Sequence, residues 1–296
     1  MQLIVHPVDV ENAAELVRYS TTYGSEHDES YLPDHGFRVS EEQPSYLLYH
    51  EREVVGAVSL LRTPRYLSVR RARFSIFHSK LNSADAYRAL FQAVQPDIQD
   101  LERVFLFLPE QNRPTIAVLK SLGFSIERTS FVLLNEHPKK KPVDFPPLVE
   151  LIPLEHGNDH RLRQFAECLN ENFRDLAGHT HNSPDELRGW FEDDDYLDGG
   201  LILLAVNGKP AGTLAVMRDC SDPEAAEILA FSLSKEHRGH GLGKLFLRHG
   251  VNLALDRGFR HVVLSVNAEN KRALRLYLAE GFVVTESMAC YAFYVR

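Results

Sequence analysis

Residues 235–246 read KEHRGHGLGKLF. Three glycines, Gly239, Gly241 and Gly243, follow Arg238 and precede an amphipathic run whose apolar positions include Leu242, Leu245, Phe246 and Leu253. A glycine-rich turn that opens a helix is suited to phosphate, because backbone N–H groups and the positive end of the helix dipole meet there. Two familiar phosphate motifs fail at single positions. The dinucleotide fingerprint GxGxxG would place its third glycine where Lys244 stands, and the P-loop would need glycine at Arg238 and Ser or Thr at Leu245.

The residues around the loop give it a setting. Upstream, AEILAFSLS is apolar nearly throughout, which predicts a strand covered on both faces. Downstream, FRHVVLSVNAEN reads as a β-branched strand ending in polar residues, and KRALRLYLAE has helical spacing and stops at Gly281.

This pattern is repeated in the chain. EREVVGAVSL with Gly56 corresponds to VNGKPAGTLAV with Gly212, and VFLFLPEQNRPTIAVLKSLGF corresponds to VVLSVNAENKRALRLYLAEGF. Asn112 precedes Gly123-Phe124 by the same 11 residues that separate Asn270 from Gly281-Phe282. The repeat predicts a duplicated domain, each copy a helical N-terminal portion, a hairpin, a strand, a helix, a strand and a helix ending in Gly-Phe. After RARFSIFHSK the first copy continues LNSADAYRALFQAVQP, with neither glycine nor arginine at the turn.

Bulk properties fit two soluble domains. The chain has 296 residues, 44% hydrophobic and 25% charged, with a formal net charge of −8. That charge argues against a nucleic-acid partner. The basic run HPKKKPVDFPP is proline-flanked and reads as a linker. No apolar run approaches the about 18 residues of a membrane span, so no membrane partner and a cytoplasmic location are expected. Cys168, Cys220 and Cys290 lack the pairing or spacing of a disulfide or zinc framework.

What fits the loop is Arg238-x-x-Gly241-x-Gly243, after a buried strand and at the start of a helix. Together with Asn270, Tyr277 and the Gly281-Phe282 end, it resembles the coenzyme A loop of the GCN5-related N-acetyltransferase (GNAT) superfamily. The resemblance covers residues 201–296 well and, without the loop, most of residues 1–136. The pair of copies is similar in layout to tandem members such as mycothiol synthase. It implies an α/β (α+β) fold of two tandem GNAT-like domains, each a mixed, mostly antiparallel sheet flanked by helices. The expected division is a degenerate copy at 1–136, a linker at 137–149 and a catalytic domain at 150–296. Acetyl-CoA is the implied cosubstrate. Ser232, Leu233, Arg238, Gly239, His240, Gly241, Leu242, Gly243, Lys244 and Asn270 are its expected contacts, with a splayed N–H at Ser232 or Leu233 serving the oxyanion.

Acyl transfer to an amine also needs a base and an acid. Glu227 stands 11 residues before Arg238, the place of a general-base glutamate in some members of the superfamily; it reads equally as a solvent-facing strand end. Tyr277 matches a tyrosine that protonates the departing thiolate in some members, and it also reads as a core residue sharing a helix face with Ala273 and Leu274. Its counterpart Leu119 cannot donate a proton. The acceptor side falls on residues 170–200, where Asn172, Phe173, Trp190 and Asp194 are candidate contacts in a stretch that also holds Asp193, Asp195, Asp198, Phe191 and Tyr196. His179 and His181 lack a third ligand at suitable spacing, and no metal is expected. The expected activity is N-acyl transfer to a small-molecule or peptide primary amine. A noncatalytic acyl-CoA sensor and a mycothiol-synthase-like enzyme are the alternatives.

Overall fold

Strand and helix alternate through two rounds in the computed structural model, which describes residues 3–176, 179 and 181–295. Three residues of the expected acceptor segment, Ala177, Gly178 and Thr180, lie outside the described residues. The first round comprises β1 (Leu3–Pro7), α1 (Ala13–Tyr23), β2 (Ser45–His50), β3 (Glu53–Leu61), α2 (Pro64–Leu67), β4 (Arg71–Ser79), α3 (Ala84–Ala93), α4 (Gln95–Ile98), β5 (Arg103–Pro109), α5 (Arg113–Ser121) and β6 (Ser125–Asn135). The second comprises β7 (Val149–Pro153), α6 (Asp159–Phe173), α7 (Pro184–Gly189), β8 (Leu201–Val206), β9 (Lys209–Arg218), β10 (Ala225–Leu233), α8 (Leu242–Asp256), β11 (His261–Asn267), α9 (Lys271–Ala279) and β12 (Val283–Tyr294). Strands β1, β6, β7 and β12 flank the repeated pattern that the sequence predicts.

Contacts divide the chain into one unit of Met1–Ser130 with Ser287–Arg296 and another of Phe131–Glu286. In the first, β1 to β5 lie side by side in chain order, with β4 and β5 parallel and the other neighbours antiparallel. In the second, β7, β8, β9 and β10 are antiparallel neighbours and β10 pairs parallel with β11. This is the mixed, mostly antiparallel sheet expected from the sequence. Helices cover both faces of the second unit's sheet. Ala226 and Ile228 join Phe246, Leu247 and Phe282 beneath α8 and α9, while Leu203, Ala215 and Met217 join Leu162, Phe165 and Leu187 beneath α6 and α7.

The unit boundaries differ from the sequence-based division at both ends of the second copy. The C-terminal residues Met288–Tyr294 pair antiparallel with β5, and Ala289 and Tyr291 enter the first unit's core. The proline-rich stretch expected as a linker is bound to the second unit. Lys141 exchanges hydrogen bonds with the Asn252 side chain at 3.1 and 2.8 Å and reaches Glu280 at 2.9 Å, and Phe145 packs on that unit's core. No helix among the described residues is long and apolar enough to cross a membrane.

The repeated glycines have a shared physical cause. Gly56 pairs with Ser79 across β3 and β4, and Gly212 pairs with Leu233 across β9 and β10. A Cβ on Gly56 would lie 3.0 Å from the His78 carbonyl oxygen and 3.1 Å from Leu90; one on Gly212 would lie 2.7 Å from the Ser232 carbonyl oxygen and 3.2 Å from Leu233. Both ladders are closed too tightly at this point for any side chain. Gly212→Ala is expected to destabilise the second unit by about 1–3 kcal/mol, the usual cost of overpacking. Chemical denaturation followed by hydrogen exchange of β9 and β10 amides checks this, and unchanged stability contradicts it.

Candidate active site

The glycine loop begins where β10 ends. A 3-10 turn, Lys235–His237, leads to an extended Arg238, then to Gly239 at φ 93° and Gly241 at φ 83°. These left-handed values account for two of the glycines. Gly243 has neither cause. Its φ is not positive, and a Cβ there would meet nothing nearer than Leu233 and Leu276 at 3.9 Å, an ordinary contact. Neither backbone conformation nor packing therefore requires glycine at 243. Gly241 is the N-cap of α8 and offers no side-chain cap, so the first N–H groups of that helix face the same space.

Two guanidinium groups converge on the loop. Arg238 Nε donates to the Leu233 carbonyl at 2.6 Å and Arg238 Nη2 to the Asn172 carbonyl at 3.4 Å, so this arginine first fixes the loop to its surroundings. Arg272, in the first turn of α9, brings Nη2 to 3.3 Å from the Cβ position of Gly239. Burial, then the nearby Arg272, disfavours the charge on Arg238. Among the described residues Arg272 has no carboxylate partner within ion-pair distance. An uncapped helix end with two guanidinium groups suits a multiply charged anion such as a pyrophosphate. The sequence motif does not include Arg272, since only the packing of α9 brings it to the loop. Other expected loop contacts have structural duties. Lys244 lies 3.6 Å from Glu280, Asn270 caps α9 by accepting from the Ala273 N–H at 3.2 Å, Leu242 is buried in the core and His240 is exposed.

Just upstream, β10 leaves β11. Their parallel pairing runs from Ala225/His261 to Ile228/Leu264 and stops, although both strands continue. On its other side β10 stays with β9, with a bulge that sets Ala230 and Phe231 against Leu214 between the pairs Leu229/Ala215 and Ser232/Thr213. Ala230 stands at φ 49°, so the expectation of a strand buried along its whole length gives way at Leu229–Phe231, which are only partly buried. Ser234 N–H donates to the Ala211 carbonyl at 2.7 Å. By the alternation of an antiparallel ladder, the Leu233 N–H therefore points away from β9, into the gap left by β11. Ser232 has the opposite orientation: its side chain is 4% exposed and accepts from Asn172 Nδ2 at 2.9 Å.

Glu227 lies in the paired part of β10, opposite Val263 of β11, and Tyr277 lies on α9. Burial, then Asp219 and Asp195, raises the Glu227 carboxyl to about 7, within the working range of a general base at neutral pH. Tyr277 is 5% exposed, packs its ring 6.1 Å from that of Phe231 in the bulge, and is held protonated by burial. Tyr277 is thus a core residue, as one of its two sequence readings expects, and it also packs on the bulged part of β10.

The expected acceptor residues separate into two groups. Asn172 and Phe173 end α6, and Phe173 packs with Trp190, Leu229 and Ala230 in the core under α6 and α7. Asp194 is exposed, and its charge helps to raise Asp193 and Asp195, in both of which burial is the larger cause. His179 and His181 both bond to the Asn170 side chain at 3.2 Å.

The first unit closes the corresponding space with its own residues. There β4 and β5 pair only from Arg71/Arg103 to Arg73/Phe105. Beyond that point, the N–H of Phe77 donates to Nε2 of His27 at 3.1 Å, Asn112 Nδ2 donates to the Glu26 carbonyl at 2.8 Å, His78 meets Glu26 at 3.3 Å, and Arg73 pairs with Asp28. Lys80 N–H bonds the Val55 carbonyl at 3.1 Å, which by the same alternation puts the Phe77 N–H on the β5 side. His27 is 3% exposed and burial lowers its pKa to about 3, so it remains a neutral acceptor. The turn after β4 is capped by Ser83, which accepts from the Ala86 N–H at 3.1 Å, and Leu119 is fully buried at the position of Tyr277.

Comparison with known proteins agrees with this geometry. The family model described as Acetyltransferase (GNAT) family matches residues 162–282. The mycothiol acetyltransferase of Acidimicrobium ferrooxidans is 27% identical over 68% of this chain and 66% of its own length. The chain spans 39% and 47% of two further curated N-acetyltransferases. Among solved structures, a tandem GNAT protein from the clavulanic acid biosynthesis pathway superposes with a TM-score of 0.74 at 15% identity, covering 100% of this chain and 99% of that one. A GCN5-related N-acetyltransferase from Sphaerobacter thermophilus gives 0.72 at 17% identity, covering 99% and 96%. The matched segment contains the loop and the parted strands, the tandem fold accords with the repeat, and residues 162–282 of the second unit form a domain of the GNAT acetyltransferase family.

Proposed function

We propose that this chain is an acyl-CoA-dependent N-acyltransferase, with acetyl-CoA as donor, acting once per chain in the second unit on a primary amine. The observation that carries the reading is the parting of β10 from β11 directly beside an uncapped glycine loop. The loop amides, with Arg272, would hold the pyrophosphate, and the thioester supplies the acyl group. The carboxylates Asp195, Asp219 and Glu227 favour a cationic acceptor. The likeness to mycothiol acetyltransferase favours a small molecule over a peptide.

Each protein group has one task. Glu227 accepts a proton from the ammonium, directly or through water, and frees the nitrogen lone pair. As the nitrogen–carbon bond forms, the Leu233 N–H donates to the oxygen that gains negative charge. When the carbon–sulfur bond breaks, Tyr277 gives its proton to the leaving sulfur and regains one from the newly acylated nitrogen. One proton is released overall, and it resides on Glu227. The first unit has no part in this chemistry, since its corresponding N–H is bonded to His27 and its corresponding helix residue is Leu119.

Thiol release from acetyl-CoA against a panel of amines tests the reading. Tight coenzyme A binding with no amine-dependent release would support a noncatalytic sensor instead. With an active amine, kcat/KM is expected to rise with pH through about 7. Glu227→Gln should lower it about 100-fold and flatten that limb; an unchanged profile removes Glu227 as the base. Gly243→Ala should leave folding stability equal or slightly higher, as the position is helical and has room, while weakening coenzyme A binding at least about tenfold. Calorimetric titration beside thermal unfolding separates the two effects, and unchanged affinity contradicts a cradle at Gly243.

A further inference from the structure

The bulge that turns the Leu233 N–H into the gap is held by a chain of buried hydroxyls. Thr213 Oγ1 donates to the Ala230 carbonyl at 2.7 Å, the hydroxyls of Thr213 and Ser232 are 2.7 Å apart, and Asn172 Nδ2 lies 2.9 Å from Ser232 Oγ. Thr213 is fully buried and Ser232 4% exposed. The direction of every proton follows from the ends. A carbonyl can only accept, so the Thr213 hydroxyl proton is committed to Ala230. Thr213 must then accept from Ser232, and Ser232 from the Asn172 amide, which can only donate through nitrogen.

We propose that Thr213 is a positioning residue for acyl transfer, with Ser232 and Asn172 as its supporting relay. The hydroxyl holds Ala230 at φ 49°, a left-handed conformation that alanine adopts only at a cost. That conformation sets two residues of β10 against one of β9 and fixes how the strand carries Leu233 past the end of its pairing with β11. The relay also joins three parts of the site. Its first member, Asn172, ends α6 on the expected acceptor side and receives Arg238 on its own carbonyl, while Arg238 holds the Leu233 carbonyl at 2.6 Å. Asn172, expected from sequence to touch the acceptor, thus has its amide nitrogen committed to the framework. The inference rests on the reading of Leu233 as the oxyanion donor.

Thr213→Val keeps the shape and removes the proton donor; Thr213→Ser restores the donor. The valine variant should lose roughly 10- to 100-fold in kcat, the scale of a misplaced oxyanion donor. Its KM for acetyl-CoA and its coenzyme A affinity should stay within about twofold, because Arg238 and the glycine loop are untouched. Serine should recover most of the rate, and adding Ala230→Gly to the valine variant should recover part of it by removing the cost of the left-handed residue. Amide exchange at Ala230 and Leu233, measured on the same proteins, should quicken in the valine variant. This readout does not require turnover, so it distinguishes failure of the relay from failure of the acyltransferase reading. If Thr213→Val does not fold, Ser232→Ala is measured for the same split of kcat from affinity. Wild-type kcat with unchanged exchange overturns the proposal, as does an equal loss in valine and serine variants or a loss confined to coenzyme A affinity.

Discussion

Everything at the candidate site depends on two parallel strands that stop pairing. While β10 and β11 are bonded, from Ala225 to Ile228, the backbone groups on that side are committed to the sheet. Beyond Ile228 they are not, and the protein needs other partners for them. Arg238 takes the Leu233 carbonyl. The Leu233 N–H faces the gap, Tyr277 borders it and the glycine loop closes its end. A gap in a sheet is costly unless something polar fills it, and under the proposed function a thioester and its pyrophosphate would do so in the second unit.

The first unit shows another solution to the same constraint. Its strands part after Arg73 and Phe105, and it fills the opening with residues 26–28. His27 is a neutral acceptor for one strand N–H, and Asn112, the counterpart of Asn270, holds the carbonyl next to it. The two copies thus share a framework, visible in the tight ladders at Gly56 and Gly212, while the first fills its gap with its own residues.

The sequence showed what is local. Glycines at left-handed positions, the arginine before them, the strand and helix around them and the repeated Asn-to-Gly-Phe interval are short-range signals, and they located the loop and the fold. What packing decides could not be read in this way. Arg272 reaches the loop only because α9 docks there, and Thr213 meets the bulge only because the β9–β10 ladder sets it opposite Ser232. The strap at Lys141 looked like a linker because proline and lysine are common in linkers; Asn252 and Glu280, more than 100 positions later in the chain, bind it. The transfer of Met288–Tyr294 to the first unit likewise depends on a partner, β5, in the other copy of the repeat.

The proposed function requires one ligand gap per chain, open in the second unit and closed in the first. Calorimetric titration of the intact chain with coenzyme A, combined with amide hydrogen exchange on the same complex, tests it most directly. One site per chain is expected, with new protection confined to residues 233–245 and the start of α9. Two sites per chain, or protection appearing at residues 73–83 with loss of protection at Phe77, would contradict it.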